Sequence, residues 1–459
     1  MKHVALFLAL AVFLTGCAPA AKIEGPFYEY DYPASEDSLV AQPDYPQMAP
    51  YPMESEFINK VTGEFDDEGF SEVYSAWRAD QRRQRDALPD YGGTLTPFFA
   101  ESIPAVLSTE TVNPVCSPLN IYMALALLAE TTSGESRNQI LSALDLPDGA
   151  SLRTLSRDIW NAHYCSDTAT TSILANSLWL GEDLIYEDST VNTLAENYYA
   201  SVFQGQLGSE EMNQALRTWI NQQTGDLLTE QVQNLTMDPQ TVLALVSTIL
   251  YRAKWSSEFN EGSNTSGIFH APAEDVPATF MNKTLSYGPY YWGEDFGAAS
   301  LSLDDGSRMW LILPDEGKTP ADLLTSGHAL DMILKDPNGY ENQKGIKVNL
   351  SLPKFDIAAD LRLEDTLQDL GITDVFEPLT ADFSSILPND SAWLDKVQHA
   401  ARVTIDEEGV SAAAYTAMMV CGAAMPPEDE IDFILDRPFL FVIISRHNLP
   451  LFAGIVNNP

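Results

Sequence analysis

One stretch of this chain decides how it folds: Asp406-Glu407-Glu408-Gly409-Val410-Ser411-Ala412-Ala413-Ala414-Tyr415-Thr416-Ala417-Met418-Met419-Val420. In a β-strand, alternate side chains point to opposite faces of the sheet. If Val410 faces a core, the residues that share its face are all small or apolar and uncharged: Ala412, Ala414, Thr416, Met418 and Val420. The opposite face would carry Ser411, Ala413, Tyr415, Ala417 and Met419, and Gly409 supplies a flexible point before the run. The stretch therefore predicts a segment that can enter a β-sheet as an additional strand.

The regions before and after this stretch predict an α+β fold that begins near Tyr91. Residues 121–129 are apolar on all sides, which is typical of a buried helix. Strand-like alternation or short apolar runs occupy 171–180, 242–251, 298–303, 309–313, 347–352, 439–445 and 451–456. Helices come mainly in the first half and strands dominate the second, which differs from an alternating parallel α/β order.

The N-terminus predicts export and lipidation. Lys2 and His3 precede an apolar run over 4–14, which is too short to span a bilayer but has the length of a signal-peptide core. The run ends in Leu14-Thr15-Gly16-Cys17, which resembles the bacterial lipobox, where the Cys is lipidated and the chain is cut just before it. We therefore expect a signal peptide over 1–16 and acyl chains, including palmitate, on Cys17 that hold the protein at the bacterial cell surface or outer membrane. The alternative is an ordinary secretory signal in which this Cys is incidental.

Residues 17–90 are expected to form a tether between the anchor and the domain over 91–459. Prolines interrupt this region, with acidic and Tyr residues between them: Pro26, Pro33, Pro43, Pro46, Pro50 and Pro52. Sequence of this composition tends to stay extended. A short helix over 70–85 is the alternative for its last part.

Charge and motifs exclude several classes of function. The chain carries 66 acidic and 25 basic residues, a formal net charge of −41, which repels phosphate and argues against nucleic-acid binding. No basic helix is present to bind a heparin-like activator. The sequence also lacks metal-ligand spacings, a nucleophile elbow and a phosphate-binding glycine loop, so it predicts no metal, no cofactor and no enzyme activity.

The cysteine count leaves two questions open. With Cys17 lipidated, Cys116, Cys165 and Cys421 remain, and an odd number leaves one thiol free or paired between molecules. The sequence does not decide whether Cys116 pairs with Cys165.

A series of short motifs runs in order through residues 91–459. They are Asn113-Pro114-Val115-Cys116-Ser117-Pro118-Leu119-Asn120-Ile121, the stretch 245–255 ending in Trp255, Thr279-Phe280-Met281, Leu352-Pro353-Lys354-Phe355, Arg437-Pro438-Phe439-Leu440-Phe441 and Phe452-Ala453-Gly454-Ile455-Val456-Asn457-Asn458-Pro459. Together they resemble the serpin family. The resemblance implies the serpin fold, with three β-sheets, about eight to nine helices and an exposed reactive-centre loop, and we expect a monomer.

The resemblance also implies roles for particular residues. The hinge of the loop would comprise Glu407, Glu408, Gly409, Val410, Ala412, Ala413, Ala414 and Thr416. The region where the central sheet opens would contain Ser117, Asn120, His399 and Trp255. This chain departs from the family at Ser247, where Asn is usual, at Ser411, where inhibitory members usually have Glu, and at Tyr415, where they have a small residue.

The position of the reactive bond follows from the same resemblance. Counting sixteen residues on from Glu407, as the family does, places the bond at Ala423–Ala424. Counting back from Pro438 gives a longer stretch, so the window stays at 419–425. Cys421 lies inside this window, either as a small apolar side chain or in a redox or covalent role.

In serpins a protease cleaves the loop and forms an acyl-enzyme, and the freed limb then inserts into the central sheet and drags the protease with it. A small Ala at the cleaved bond suits a shallow, elastase-type pocket, and no Lys or Arg lies between 410 and 427. The predicted function is therefore covalent inhibition of an elastase-like serine protease. The alternatives are a non-inhibitory surface binding protein on the same fold and an inhibitor of papain-like cysteine proteases.

Overall fold

The computed structural model describes residues 38–88, 92–109, 111–239, 241–394, 397–410 and 429–459. Several predicted site residues lie outside the described residues: Cys17, Ala412, Ala413, Ala414, Thr416, Cys421, Ala423 and Ala424.

Eleven α-helices occur in the described residues, slightly more than the eight to nine that were predicted. They are α1 (Asp67–Ala87), α2 (Gly92–Leu107), α3 (Pro118–Thr131), α4 (Gly134–Ala143), α5 (Gly149–His163), α6 (Asp188–Tyr198), α7 (Glu210–Gln223), α8 (Thr229–Val232), α9 (Pro320–Ser326), α10 (His328–Leu334) and α11 (Glu364–Asp369). Within the described part of the chain, no helix combines the length and the apolar composition that crossing a bilayer requires.

Seventeen strands form the rest of the described regular structure. They are β1 (Leu39–Ala41), β2 (Val115–Cys116), β3 (Cys165–Ser166), β4 (Thr171–Gly181), β5 (Ala200–Gly205), β6 (Leu243–Lys254), β7 (Thr265–His270), β8 (Asp275–Trp292), β9 (Phe296–Ser302), β10 (Arg308–Pro314), β11 (Gln343–Pro353), β12 (Phe355–Arg362), β13 (Gln398–Ile405), β14 (Gly409–Val410), β15 (Glu430–Ile434), β16 (Phe439–Ile444) and β17 (Pro450–Val456).

The strands described here form two hydrogen-bonded sheets. The central sheet has the order β1-β5-β4-β6-β14-β13-β12, with β3 paired to β4. The second sheet has the order β15-β11-β8-β9-β10-β16-β17-β2, with β7 paired to β8. Three sheets were expected; strand β8, 18 residues long, pairs with β7, β9 and β11 and so connects the strands of the other two into one network. The helix-rich first half and strand-rich second half confirm the α+β prediction.

Helix α3 lies between the two sheets, and the sequence explains why it starts and why it is buried. The Ser117 hydroxyl accepts a hydrogen bond from the backbone N–H of Asn120, and Pro118 occupies the first turn, where its missing N–H costs nothing. All but one of its residues are buried, as the absence of a polar face predicts. It packs against β6 of the central sheet and β17 of the second sheet.

The N-terminal segment corrects one prediction. Residues 38–88 are not an extended tether, because β1 pairs with β5 and α1 packs against α5. The indole N–H of Trp77 donates to Asp167 at 2.7 Å, and the side chain of Gln84 donates to the carbonyl of Tyr164. Tyr45 and Tyr51, which lie between prolines, provide apolar surface for this packing: the ring centroid of Tyr45 lies 5.1 Å from that of Trp160, and the ring centroid of Tyr51 lies 5.3 Å from that of Trp77. The predicted helix over 70–85 is confirmed and extends three residues further towards its N-terminus.

Candidate functional site

In the central sheet, β6 and β13 are not paired with each other in the described residues. Only the two residues of β14 lie between these strands. Val410 pairs with Ala253 of β6 and with Ile405 of β13, in both cases antiparallel. Beyond Val410, no backbone pairing joins the described residues of β6 and β13. We call the gap between residues 243–252 of β6 and 399–404 of β13 the slot.

Val410 meets the condition on which the predicted alternation of the loop depends. Its side chain is 2% exposed, so it faces the core. Gly409 is required at its position, because a Cβ there would lie 2.7 Å from the Cα of Lys254, well inside van der Waals contact. The hinge therefore begins as a short strand that is already seated between its two neighbours.

The residues before Gly409 are held by Trp255 and its neighbours. The backbone N–H of Trp255 donates to the Glu408 carbonyl at 3.0 Å, and its indole N–H donates to the Asp406 carbonyl at 2.9 Å. The Asp406 carboxylate accepts from the backbone N–H of Glu408 at 2.9 Å and of Gly409 at 3.2 Å. Trp255, predicted as part of the opening region, thus anchors the hinge itself.

Glu407 is fixed by its side chain. Its carboxylate pairs with Lys354 at 2.5 Å and accepts a hydrogen bond from the amide of Asn264. Burial raises the pKa of Glu407, but the hydrogen bonds from Lys354 and Asn264 outweigh burial and lower it overall. Sequence reasoning missed Asn264, which no motif marks.

A buried polar network lies beside the slot on the α3 side. His399 accepts a hydrogen bond at Nε2 from the backbone N–H of Ser117 at 2.9 Å. The Ser247 hydroxyl lies 2.8 Å from the side-chain oxygen of Asn120 and 2.8 Å from that of Asn176. The structure therefore brings Ser117, Asn120 and His399 close together, and Ser247 takes the place of the family's usual Asn.

The network constrains His399 to its neutral form. Burial lowers the pKa of His399 to about 4, so the ring is uncharged near neutral pH and its unprotonated nitrogen can accept the hydrogen bond from Ser117. Sequence reasoning missed Asn176; the only signal was an Asn inside the apolar strand β4.

Two cavities lie on opposite sides of the slot. The inner cavity, of about 40 Å³, lies between the slot and α3 and is lined by Ile121, Leu125, Leu245, Ser247 and His399, among others. The outer cavity, of about 120 Å³, lies between the slot and α7 and is lined by residues that include Leu216, Ile220, Thr248, Asp360 and Ala400. Both cavities are largely apolar in lining.

The link between α7 and α8 is bound to both strands that border the slot. Arg252 of β6 donates to the carbonyl of Gly225 at 3.3 Å, and Arg402 of β13 donates to the carbonyl of Leu227 at 2.9 Å. Arg402 also forms two hydrogen bonds with the Asp356 carboxylate, at 2.6 and 2.8 Å. We call this pair of arginine contacts the strap.

The remaining cysteines in the described residues are separate thiols. Cys116 and Cys165 are both free and buried, which settles the question of whether they pair with each other. Burial raises the pKa of both thiols, so neither is poised as a nucleophile at neutral pH.

The described residues of the site can pair with an additional strand. Strands β6 and β13 present unpaired backbone edges along the slot, and unpaired edges of this kind are templates for another strand. Because β14 is antiparallel to both neighbours, a strand that continued it would also be antiparallel to both.

Comparisons with known proteins identify relatives of this architecture. Residues 98–459 match the family model described as Serpin (serine protease inhibitor). An uncharacterised serpin-like protein of Thermococcus kodakarensis is 29% identical over 358 residues, covering 76% of this chain and 81% of that protein. An alpha-1-antitrypsin-like protein of Tamias sibiricus is 32% identical over 381 residues, covering 79% and 87%. The solved structure of the thermophilic serpin tengpin in its native state superposes with a TM-score of 0.71 at 24% identity, covering 80% of this chain and 94% of that one.

Proposed function

Because this chain belongs to the serpin family, we propose that it inhibits proteases by inserting its cleaved loop into the slot. The observation that carries the proposal is β14, a two-residue strand held between β6 and β13 while the rest of the slot stays open. Cleavage within the window 419–425 would free the residues that follow Val410 to continue this strand. The protease, attached to the cleaved end as an acyl-enzyme, would travel with it.

The register of β14 supports insertion of the core-facing residues. If pairing continues from Val410, Ala412 falls opposite Tyr251 and Val403, and Ala414 falls opposite Ile249 and Ala401. These four neighbours are all buried on the inner face. Small side chains at 412 and 414 can therefore enter without displacing the core.

Continued pairing brings Thr416 opposite Ser247 and His399. These residues belong to the buried polar network, where a hydroxyl can donate and accept hydrogen bonds. A charged or bulky residue at this position would be buried without a partner. The sequence of the loop thus matches the part of the slot it would reach.

The free energy of insertion is large enough to trap a protease. A new strand of about a dozen residues gains hydrogen bonds on two edges, at roughly 0.5–1.5 kcal/mol net each. Burial of its apolar side chains adds about 25 cal/mol per Å². The total is on the order of 10 kcal/mol. Displacement of a catalytic group by about 1 Å can slow a reaction about 100-fold, so part of this free energy suffices to arrest deacylation.

The proposed targets are elastase-like serine proteases. The reactive bond is assigned to Ala423–Ala424 within the window 419–425, where small and apolar residues suit a shallow specificity pocket. The absence of Lys and Arg between 410 and 427 argues against trypsin-like targets. Papain-like cysteine proteases and a non-inhibitory binding role are outcomes that the experiment below distinguishes.

The proposed location is the bacterial surface, with lipid on Cys17. The described fold begins at residue 38, so residues 18–37 would connect the lipid to β1. Labelled palmitate should enter the protein in cells, and Cys17→Ser should abolish the labelling. Equal labelling of the two forms, or no labelling of the wild type, would refute the anchor.

Incubation with a pancreatic-type elastase tests inhibition directly. We expect a complex that survives SDS, cleavage at one bond within 419–425, and inactivation of the enzyme. Trypsin and an elastase whose nucleophilic Ser is replaced by Ala serve as controls, and neither should form the complex.

Cleavage without a complex at any ratio would refute inhibition of elastase. If papain formed the covalent complex instead, the target class would be cysteine proteases. A cleaved form no more heat-stable than the intact one would refute insertion and leave the non-inhibitory role.

A further inference from the structure

We propose that the outer cavity receives the side chain of Tyr415 when the loop inserts. The inference rests on the loop insertion proposed above. It assigns an occupant to a cavity of about 120 Å³ and a role to a residue at which this chain departs from inhibitory serpins.

The register of β14 identifies the neighbours of Tyr415. Val410 pairs with Ala253, and each further loop residue would pair with the preceding residue of β6, so residue 415 falls opposite Thr248. The same count from Ile405 on β13 places residue 415 opposite Ala400. Both neighbours line the outer cavity.

The alternation of side chains fixes the face. Ser247 and His399 point towards α3, since they contact Asn120 and Ser117. Thr248 and Ala400 follow them directly in their strands and therefore point the other way, towards α7. Because directly paired residues share a face, Tyr415 would point towards α7 as well.

That face of the sheet is covered rather than open to solvent. Leu216 and Ile220 of α7 form the far wall of the outer cavity. Both are nearly fully buried, and Thr248 is 2% exposed. A side chain on this face meets protein, so its size and chemistry matter.

The cavity suits an apolar ring with a polar tip. Its lining is mainly apolar, yet the Thr248 hydroxyl and the side-chain oxygen of Gln231 have no hydrogen-bond partner among the described residues. Buried polar atoms without partners destabilise a structure. A tyrosine supplies an apolar ring and a hydroxyl that both donates and accepts, whereas the small residue that is usual in inhibitory serpins would fill neither need.

Melting of the cleaved protein tests the assignment. The wild type, Tyr415→Ala and Tyr415→Phe are each compared before and after cleavage within 419–425. We expect unchanged melting temperatures for the three intact proteins and a smaller rise on cleavage for Tyr415→Ala, by several °C. Tyr415→Phe should lie between the two, because it retains the ring and loses the hydroxyl. Tyr287→Ala is the control, since Tyr287 is 69% exposed on the second sheet and should leave the rise intact.

A disulfide test measures proximity without relying on stability. In a Cys421→Ser background, Thr248→Cys with Tyr415→Cys should form a disulfide on mild oxidation after cleavage, detected by mass spectrometry of the linked peptides. Thr248→Cys with Thr416→Cys is the matched control and should not, because residue 416 would face the opposite side.

The outcomes separate the two proposals. If cleavage of the wild type raises the melting temperature but Tyr415→Ala shows the same rise and no disulfide forms, the assignment of Tyr415 is overturned and insertion stands. If cleavage of the wild type does not raise its melting temperature, insertion itself is overturned.

Discussion

The two sheets differ in how complete they are. In the second sheet, β10 pairs with β9 at seven positions and with β16 at five, so its central strands have bonded neighbours along most of their length. In the central sheet, β6 is bonded to β4 at ten positions on one side and to β14 at only two on the other. The central strands of the second sheet are paired on both sides, whereas beyond β14 the facing edges of β6 and β13 are not paired with each other in the described residues.

The difference shows where the folded protein can still gain stabilising contacts. Unpaired edges in the slot can gain hydrogen bonds, and the two cavities beside it can gain buried side chains. The second sheet has no comparable gain available in its described strands. Variants in the two sheets should therefore respond differently to cleavage of the loop.

The largest effect is expected from Val410→Arg. A charged side chain cannot be buried between β6 and β13 without a partner, so the inserted strand should not form. The rise in melting temperature on cleavage, on the order of 20 °C for about 10 kcal/mol, should disappear, and elastase should treat the protein as a substrate. Val61→Arg is the control, because Val61 is 94% exposed. Full inhibition by Val410→Arg would contradict the role of the slot.

A core variant in the second sheet should affect both forms of the protein alike. Trp310 in β10 is 1% exposed, and Trp310→Ala should cost about 3–5 kcal/mol. Because this sheet does not change on insertion, denaturant unfolding should give the same loss for intact and cleaved protein. Trp310→Phe provides a milder version if the first variant does not fold. A loss confined to one form would show that the two sheets are coupled.

Acid should act on the central sheet through His399. Its pKa is about 4 in the folded protein and about 6.5 when unfolded, so between these values the unfolded chain binds a proton that the folded chain does not. Stability from the neutral ring is complete above pH 6.5 and is lost as the pH falls towards 4, by about 3 kcal/mol. Urea unfolding at several pH values should show a steeper acid loss for the wild type than for His399→Gln. Parallel profiles would contradict the assignment.

The smallest effect is expected from Ser247→Ala. Removal of the hydroxyl leaves the buried amides of Asn120 and Asn176 without one partner, at a cost of about 1–3 kcal/mol. Urea unfolding of the intact protein measures this loss. Ser266→Ala, at an exposed position of β7, should change stability by less than about 0.5 kcal/mol. A neutral Ser247→Ala would mean that the network adds nothing to the intact protein.

Local patterns predicted much of the fold and part of the site. The alternation after Val410, the apolar run of α3 and the order of the motifs depend on neighbouring residues, and such signals are visible in one sequence. The hinge residues and Ser117, Asn120 and His399 were predicted from the family resemblance, and in the structure Ser117 contacts His399 and Asn120 contacts Ser247.

The parts that were missed depend on distant partners. The prolines of residues 26–52 predicted an extended chain, but Tyr45 packs on Trp160 of α5, a contact with a residue far away in the sequence that no local pattern indicates. The strap was not predicted either, because Arg252 and Arg402 bind backbone carbonyls, and a carbonyl carries no sequence signature. The outer cavity could not be predicted from local patterns either, because it exists only where α7 covers the slot.

The short strand β1 has a consequence for crowding. Leu39 and Ala41 pair with Phe203 and Val202, so β1 covers the edge of β5 that would otherwise border solvent. A long unpaired strand edge can pair with strands of neighbouring molecules, whereas an edge of three residues offers few unpaired backbone groups. Copies held side by side in one membrane by the proposed anchor would meet far more often than free molecules. Strand β1 would then protect this edge of each copy from lateral aggregation with the next.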